Sequence, residues 1–220
     1  MISLKVWGDL ACFTRPEMKV ERVSYDVMTP SAARGILEAI FWKPQMSWVI
    51  TEIEVLKPTQ WTNVRRNEVG KKIPMSGGTG VNVAMKKGSG KLGMFIEDER
   101  QQRAGLLLKD VEYIIHADIE LTPKADKNNG DSIKKYQEMF LRRAKKGQCF
   151  HQPYFGCREF PVSFSEPNGE EMPIDESIEL GWMLHDLDYS GKEPTPQFFK
   201  ASMKDGKINI PPLTSQEVVQ

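Results

Sequence analysis

Three polar side chains recur at every second residue of one apolar segment and could form a chemical site. The segment VEYIIHADIEL, residues 111–121, places His116, Asp118 and Glu120 on one face of a β-strand, because successive strand side chains point to opposite sides. Imidazole and carboxylate groups together can bind a divalent metal. The alternative is a polar strand face turned to water or to a basic segment, which is common in antiparallel sheets. We favour the polar face and predict no metal and no cofactor.

The sequence lacks the usual signatures of hydrolases. It contains no nucleophile elbow with a Ser-His-Asp triad and no HExxH pair, and its three histidines, His116, His151 and His185, are far apart in the chain. A single histidine is more often a surface or packing residue than a catalyst.

Basic side chains are concentrated in two segments. One lies between residues 57 and 102 among many glycines, which form neither a P-loop nor a dinucleotide fingerprint, so we predict a mobile basic hairpin. Its basic residues are Arg65, Arg66, Lys71, Lys72, Lys86, Lys87 and Lys91. The other segment, DSIKKYQEMFLRRAKK, is a helix over residues 131–146 with a basic flank. Both could bind phosphates, although a solvated surface without a partner has the same composition.

The composition sets limits on the class of protein. The formal net charge is zero, so any polyanionic partner has to be bound by local patches. Cys12, Cys149 and Cys157 form no CxxC pair, which indicates reduced thiols in a cytoplasmic protein. Nowhere do about 18 apolar residues run together, and the N-terminus lacks a signal-peptide pattern, so we expect no membrane association.

The pattern of elements predicts an α+β fold. The sequence predicts strands at residues 3–8, 47–56, 111–121 and 157–164. The first predicted helix starts after Thr29 and has Phe41, Trp42 and Lys43 in its last turn. The second starts at Asp131 and stops at Gly147. The order strand, helix, strand, strand, helix, strand is that of the ferredoxin-like (RRM-like) fold, an antiparallel sheet with two helices on one face. The other face stays open for binding, and with nearby aromatic and basic residues it favours single-stranded or hairpin RNA.

We predict two domains. Residues 1–167 form the ferredoxin-like domain, with the basic glycine-rich insertion at about 57–105. Residues 168–220 form a small antiparallel β-sheet domain with a polar tail, in which Asp205 and Gly206 predict a type I′ hairpin turn.

Several long motifs occur in an order that is specific to one family. They are VWGDLACFTRPEMKVERVSYDVMTPSAARGILEAIFWKP, VLKP, VRRNEV, RQQRAGLLLKDVEYII and GCREFP. Over almost its whole length the chain resembles the CRISPR-associated Cas-five family of the type I-C (Dvulg) system, in the RAMP superfamily. The resemblance implies a metal-independent endoribonuclease that cuts precursor CRISPR RNA at the repeat hairpin by 2′-OH attack. It also implies that the protein stays on the 5′ handle, with the other subunits of the surveillance complex as partners.

The resemblance also implies site residues. In this family a tyrosine or histidine at the end of the first helix usually acts with an adjacent lysine and histidine at the start of the second helix. These positions fall on Phe41, Lys135 and Tyr136, so the chain departs from the pattern at Phe41, which cannot titrate, and at Tyr136. The predicted RNA-binding residues are Trp42, Lys43, Arg65, Arg66, Arg103, Lys134, Arg142 and Arg143.

Three interpretations remain open at this stage. In the first, Lys135 neutralises charge on the phosphorane, the Tyr136 hydroxyl orients or relays a proton, and Phe41 packs or stacks on a base. A tyrosine or lysine base would need its pKa lowered by roughly 2 to 3. In the second, the protein is a non-catalytic subunit that binds the 5′ handle. In the third, it is a metal-dependent nuclease that uses His116 and Asp118.

Overall fold

The computed structural model describes residues 1–78, 80–89, 95–126, 128, 130–189, 191 and 193–220. Lys91 of the basic glycine-rich segment lies outside these residues. The elements are β1 Ile2–Ala11, α1 Pro30–Ile40, β2 Met46–Val55, β3 Trp61–Val69, α2 Val81–Lys87, α3 Ile96–Glu99, β4 Arg100–Leu121, α4 Ile133–Lys145, β5 Ser163–Ser165, β6 Ile178–Asp188, β7 Thr195–Met203, β8 Lys207–Asn209 and β9 Val218–Val219. No helix among the described residues is long and apolar enough to cross a membrane.

The main sheet has the predicted ferredoxin-like topology. Within the described residues its strand order is β5-β1-β4-β2-β8, with β3 also paired to β4, and β1 and β2 both run antiparallel to β4. The strands β1, β2, β4 and β5 are the first to fourth strands of the ferredoxin-like unit. They lie side by side in the order fourth, first, third, second, which is the order of the ferredoxin-like fold. One face of the sheet carries buried residues such as Leu4, Val6 and Ile115, against which the apolar sides of α1 and α4 pack. The predicted α+β class is confirmed.

The first helix forms for the predicted reasons, but it ends earlier than predicted. The hydroxyl of Thr29 accepts from the backbone N–H of Ala32 at 3.4 Å, and Pro30 occupies the first helical position. Phe41 is already extended, with φ −155° and ψ 124°. The prediction that Phe41, Trp42 and Lys43 form the last turn was therefore wrong. The helix cannot continue because Pro44 has no N–H to donate to the Ile40 carbonyl, and the Phe41 carbonyl accepts from the Trp48 indole N–H at 2.9 Å.

The second long helix also differs from its prediction at the N-terminus. The side chain of Ser132, not that of Asp131, accepts from the backbone N–H of Lys135 at 3.3 Å and caps α4. Gly147 ends the helix with φ +62°, while its N–H and that of Gln148 donate to helix carbonyls at 3.0 and 2.9 Å. The predicted glycine stop is confirmed, and Asp131 is left free for another contact.

The C-terminal region contributes to two sheets. Asp205 and Gly206 have φ values of +50° and +72°, as a type I′ turn requires, which confirms that prediction. The strand after this turn, β8, pairs with β2 of the main sheet, whereas β6, β7 and β9 form a separate antiparallel sheet. The strand predicted over residues 157–164 is reduced to Ser163–Ser165, because the preceding residues form turns.

The described residues cluster into two compact units, 1–62 with 106–220, and 63–105. The second unit covers most of the predicted insertion at about 57–105, and in it the N–H of Gly70 donates to the carbonyl of Glu99 at 2.8 Å. The first unit includes residues 168–220. Our division of the chain after residue 167 stays a prediction.

Candidate functional site

The end of α1 meets one side of α4 at an aromatic and cationic junction. The Phe41 ring is only 1 % exposed and lies 6.1 Å, centroid to centroid, from the ring of Tyr136 on α4. The guanidinium of Arg143, two helical turns further along α4, lies 5.2 Å from the centroid of the Phe41 ring. Arg143 also donates from Nη1 to the carbonyl of Ile40 at 2.9 Å. The three predicted site positions Phe41, Lys135 and Tyr136 are thus brought together, with Arg143 beside them.

A carboxylate organises the N-terminal side of this junction. The Tyr136 hydroxyl donates to Oδ1 of Asp131 at 2.6 Å, and the Lys135 ammonium lies 3.6 Å from the same oxygen. Lys135 Nζ is also 5.8 Å from the centroid of the Tyr136 ring. The Tyr136 side chain is 1 % exposed, whereas the Lys135 side chain is 44 % exposed. Lys135 is consequently the member of the pair that an external ligand can reach.

This geometry fixes the protonation states of the tyrosine and the aspartate. Burial, together with the hydrogen bond to Asp131 and its charge, raises the pKa of Tyr136 to about 12. The hydrogen bond from Tyr136 in turn holds the pKa of the Asp131 carboxyl below its usual value. A general base near neutral pH needs a pKa shifted in the opposite direction. Tyr136 at neutral pH is therefore a hydrogen-bond donor and not a base.

The raised pKa of Tyr136 has a measurable consequence for stability. Because the folded-state pKa of about 12 exceeds the value of about 10 for an unfolded tyrosine, its contribution to stability is complete below about pH 10 and is lost as the pH rises through about 12. We expect the difference in free energy of unfolding between wild type and Tyr136→Phe to be constant from neutral pH to about pH 10 and to shrink above it. Urea unfolding at a series of pH values measures this difference. A difference that does not change up to pH 12 would contradict the assignment.

The predicted RNA-binding residues differ in how accessible they are. In the first unit Trp42 is 53 % exposed, and Lys43, Lys134 and Arg142 are exposed as well, whereas Arg143 is partly buried against Phe41. In the second unit Arg65 is exposed on β3, Arg66 is half-buried, and Arg103 donates to Glu68 at 2.9 Å. The exposed residues can contact phosphates directly, whereas the Arg103 guanidinium is already paired with Glu68.

On the polar face of β4, His116 and Asp118 have different partners. His116 does not act with Asp118 and Glu120: Asp118 Oδ1 binds the N-terminal ammonium of Met1 at 2.8 Å. Across the sheet, His116 Nε2 lies 3.3 Å from Glu54 Oε1 and 3.8 Å from Glu52 Oε1.

The ligand atoms of Glu52, Glu54 and His116 are within 4.8 Å of one another and could hold a metal ion. The register of β2 against β4 creates this cluster, and the sequence spacing of β4 alone could not reveal it. The ammonium of Lys207, 2.8 Å from Glu54 Oε1, already compensates the negative charge of this cluster.

The open face of the sheet is also less suited to RNA than the sequence indicated. Its lysines are occupied by carboxylates: Lys5 Nζ is 2.9 Å from Glu112 and 3.4 Å from Glu171. Residues that follow β5 reach this face through the contact of Glu171 with Lys5, and the N–H of Ile174 donates to the carbonyl of Val55 at the end of β2 at 2.9 Å. Carboxylates repel a phosphate backbone, so the junction of α1 and α4 is the better candidate site.

The fold and this junction define an α+β protein of the ferredoxin-like class in which the helix α4 is basic. The chain belongs to the family of CRISPR-associated proteins described as Cas_Cas5, whose Cas_Cas5d model matches residues 1–211. A protein of Mannheimia succiniciproducens named CRISPR pre-crRNA endoribonuclease Cas5d is 53% identical over 225 residues, which cover 99% of this chain and 97% of that protein. A protein of the same name from Thermus thermophilus is 43% identical over 235 residues, 99% of this chain and 94% of the relative.

Solved structures show the same fold. A structure described as a CRISPR-associated protein matches with a TM-score of 0.70 at 23% identity, covering 100% of this chain and 96% of the other. A functionally uncharacterized protein, SMU1763c from Streptococcus mutans, matches with a TM-score of 0.69 at 22% identity over the same shares. At these identities the likeness concerns the fold.

Proposed function

We propose that this protein is an endoribonuclease that cleaves precursor CRISPR RNA at the repeat hairpin and stays bound to the 5′ handle of the product. The observation that carries the proposal is the 53% identity, over 99% of the chain, to a relative named a pre-crRNA endoribonuclease. Retention of the product would make the other subunits of a type I-C surveillance complex its partners. This function belongs in the cytoplasm, with the RNA.

The proposed reaction uses the RNA itself as the nucleophile. The ribose 2′-OH attacks the adjacent phosphorus, the bond to the 5′ oxygen breaks, and the products carry a 2′,3′-cyclic phosphate and a 5′-OH. Negative charge develops on the phosphorane oxygens during this step. The ammonium of Lys135 is exposed next to the junction, and a fixed cation at such a position stabilises the transition state.

The neighbours of Lys135 have positioning roles in this proposal. Asp131 lies 3.6 Å from the Lys135 ammonium and is itself fixed by the Tyr136 hydroxyl at 2.6 Å, which restricts where the ammonium can lie. Phe41 is buried and packs against Tyr136 instead of offering a free face to a base. Trp42, at 53 % exposure, is an aromatic side chain at this helix end that can stack on a base.

The direct test is cleavage of RNA that carries the repeat from the protein's own genome, in the presence of EDTA. We expect a single cut that survives EDTA and is abolished by a 2′-deoxy substitution at the cut site. Loss of activity in EDTA would instead favour the metal-dependent alternative, in which His116 acts with Glu52 and Glu54. A substrate cut despite the 2′-deoxy substitution would exclude 2′-OH attack.

Two observations favour a second candidate, a non-catalytic subunit that caps the 5′ handle. Phe41 cannot titrate, and the pKa of Tyr136 is raised to about 12, so neither residue can serve as a base near neutral pH. For this candidate we expect tight binding of the repeat RNA without cleavage. Binding and cleavage measured on the same RNA separate the two functions.

The exposed cations of α4 give a prediction that applies to both candidates. Lys134 and Arg142 are exposed, and a cation that contacts single-stranded RNA contributes about 0.7 to the slope of log affinity against log salt concentration. We expect the double variant Lys134→Ala, Arg142→Ala to bind the repeat RNA more weakly and with a slope reduced by about 1.4. Lys124→Ala, an exposed lysine outside the helix, is the control. An unchanged slope would remove both residues from the interface.

A further inference from the structure

The connection after α4 returns to the end of α1 and brings His151 to the junction. The backbone N–H groups of Phe150 and His151 both donate to the carbonyl of Ala39, at 2.8 and 3.3 Å. The next carbonyl along the chain, that of Ile40, accepts from Arg143 Nη1 at 2.9 Å. The backbone of His151 and the guanidinium of Arg143 are thus held on two successive carbonyls at the end of α1.

These contacts bring aromatic, acidic and basic side chains together around the end of α1. The Phe41 ring contacts both Tyr136, whose neighbours are Asp131 and Lys135, and the Arg143 guanidinium. The backbone of His151 lies near the Arg143 guanidinium, because the two donate to the successive carbonyls of Ala39 and Ile40. An imidazole beside a guanidinium is suited to a phosphodiester, because the cation binds the phosphate while the imidazole exchanges a proton.

His151 is the histidine that is available for chemistry. His116 is engaged with Ser3, whose hydroxyl is 2.8 Å from Nδ1, and faces Glu52 and Glu54 on the sheet. His185 is 8 % exposed and its Nε2 bonds the carbonyl of Pro211 at 2.7 Å. His151 is exposed, and its ring contacts that of Phe150, itself 83 % exposed, at 5.9 Å between centroids.

We propose that His151 is a further catalytic residue, the proton acceptor that Phe41 and Tyr136 cannot supply. This inference rests on the proposed endoribonuclease function. The Arg143 guanidinium binds the scissile phosphate, and the neighbouring His151 imidazole faces the ribose of the same nucleotide. The backbone hydrogen bond to Ala39 sets the position of His151 without constraining its side chain.

The proton balance of this step is complete. The neutral imidazole of His151 takes the proton of the 2′-OH as the O2′–P bond forms. A solvent water protonates the 5′ oxygen as the P–O5′ bond breaks, which leaves hydroxide and an imidazolium. The imidazolium then returns its proton to the hydroxide, so that no net proton is consumed and His151 is ready for another cycle.

The test is single-turnover cleavage of the repeat RNA in EDTA by wild type, His151→Ala, His151→Gln and Gln148→Ala. Gln148 is an exposed residue of the same connection and serves as the matched control. We expect both His151 variants to cleave 10²- to 10⁴-fold more slowly, the range for loss of a general base, with RNA affinity unchanged. Added imidazole should restore part of the rate of His151→Ala, and Gln148→Ala should cleave like wild type.

The experiment distinguishes failure of the proposed endoribonuclease function from failure of the proposed role of His151. If wild type binds the repeat RNA and does not cut it, the proposed endoribonuclease function fails and the role of His151 fails with it. If wild type cuts and both His151 variants cut within twofold of it, only the role of His151 is overturned. A third outcome is that His151→Ala cleaves more slowly, binds RNA more weakly in proportion and is not restored by imidazole. That outcome assigns His151 to binding and also overturns the inference.

Discussion

Replacing Lys135 with alanine is expected to slow cleavage of the repeat RNA by about 100-fold while leaving the fold intact. A preorganised cation directed at developing negative charge contributes about 10²- to 10³-fold to a rate. The Lys135 side chain is 44 % exposed and pairs with Asp131 at 3.6 Å, and the loss of such an exposed pair has little effect on stability. Single-turnover cleavage in EDTA measures the effect.

Lys134→Ala is the matched control for this prediction. Lys134 is the preceding residue on the same helical turn and is also exposed, so the two variants remove equal charge from nearly the same place. We expect Lys134→Ala to weaken RNA binding without changing the rate at saturating protein, because it lacks the contact to Asp131 that positions Lys135. Equal rates for the two variants would show that Lys135 contributes only general charge.

The fold could be predicted because its strongest determinants are local. The capping group of Thr29, the glycine stop at Gly147 and the alternation of β4 each depend on a few neighbouring residues, and each appears as predicted. The errors occur where distant residues decide. The extended Phe41 is held by a hydrogen bond from the Trp48 side chain, and β8 joins β2 through pairing between residues more than 150 positions apart in the chain.

The candidate site was predictable only in part, for the same physical reason. Motif resemblance located Phe41, Lys135 and Tyr136, and the structure brings all three together. It gave no indication that the Tyr136 hydroxyl donates to Asp131, because Asp131 was assigned to the helix cap that Ser132 forms. In the sequence His151 is only one of three histidines far apart in the chain, because its position depends on a backbone bond to Ala39, more than 100 residues earlier.

The burial of the Tyr136 ring predicts a large loss of stability for Tyr136→Ala. The ring is 1 % exposed and packs against Phe41, so its removal leaves a cavity between α1 and α4. Truncation of a buried aromatic residue to alanine costs about 3–5 kcal/mol, a large fraction of the stability of a domain of this size. Urea unfolding at neutral pH measures the change. Ile133→Ala on the same helix, at an exposed position, should lower the free energy of unfolding by much less.

Tyr136→Phe separates the packing of this residue from its hydroxyl. The variant keeps the ring against Phe41 and removes only the donor to Asp131, so we expect most of the stability to remain. If the hydroxyl positions Lys135 through Asp131, cleavage by Tyr136→Phe should fall about 10-fold with unchanged RNA affinity, because a poorly positioned group loses part of its effect. Wild-type cleavage by Tyr136→Phe would leave the tyrosine with a packing role alone, and the charge of Lys135 would then act without help from the Tyr136 hydroxyl.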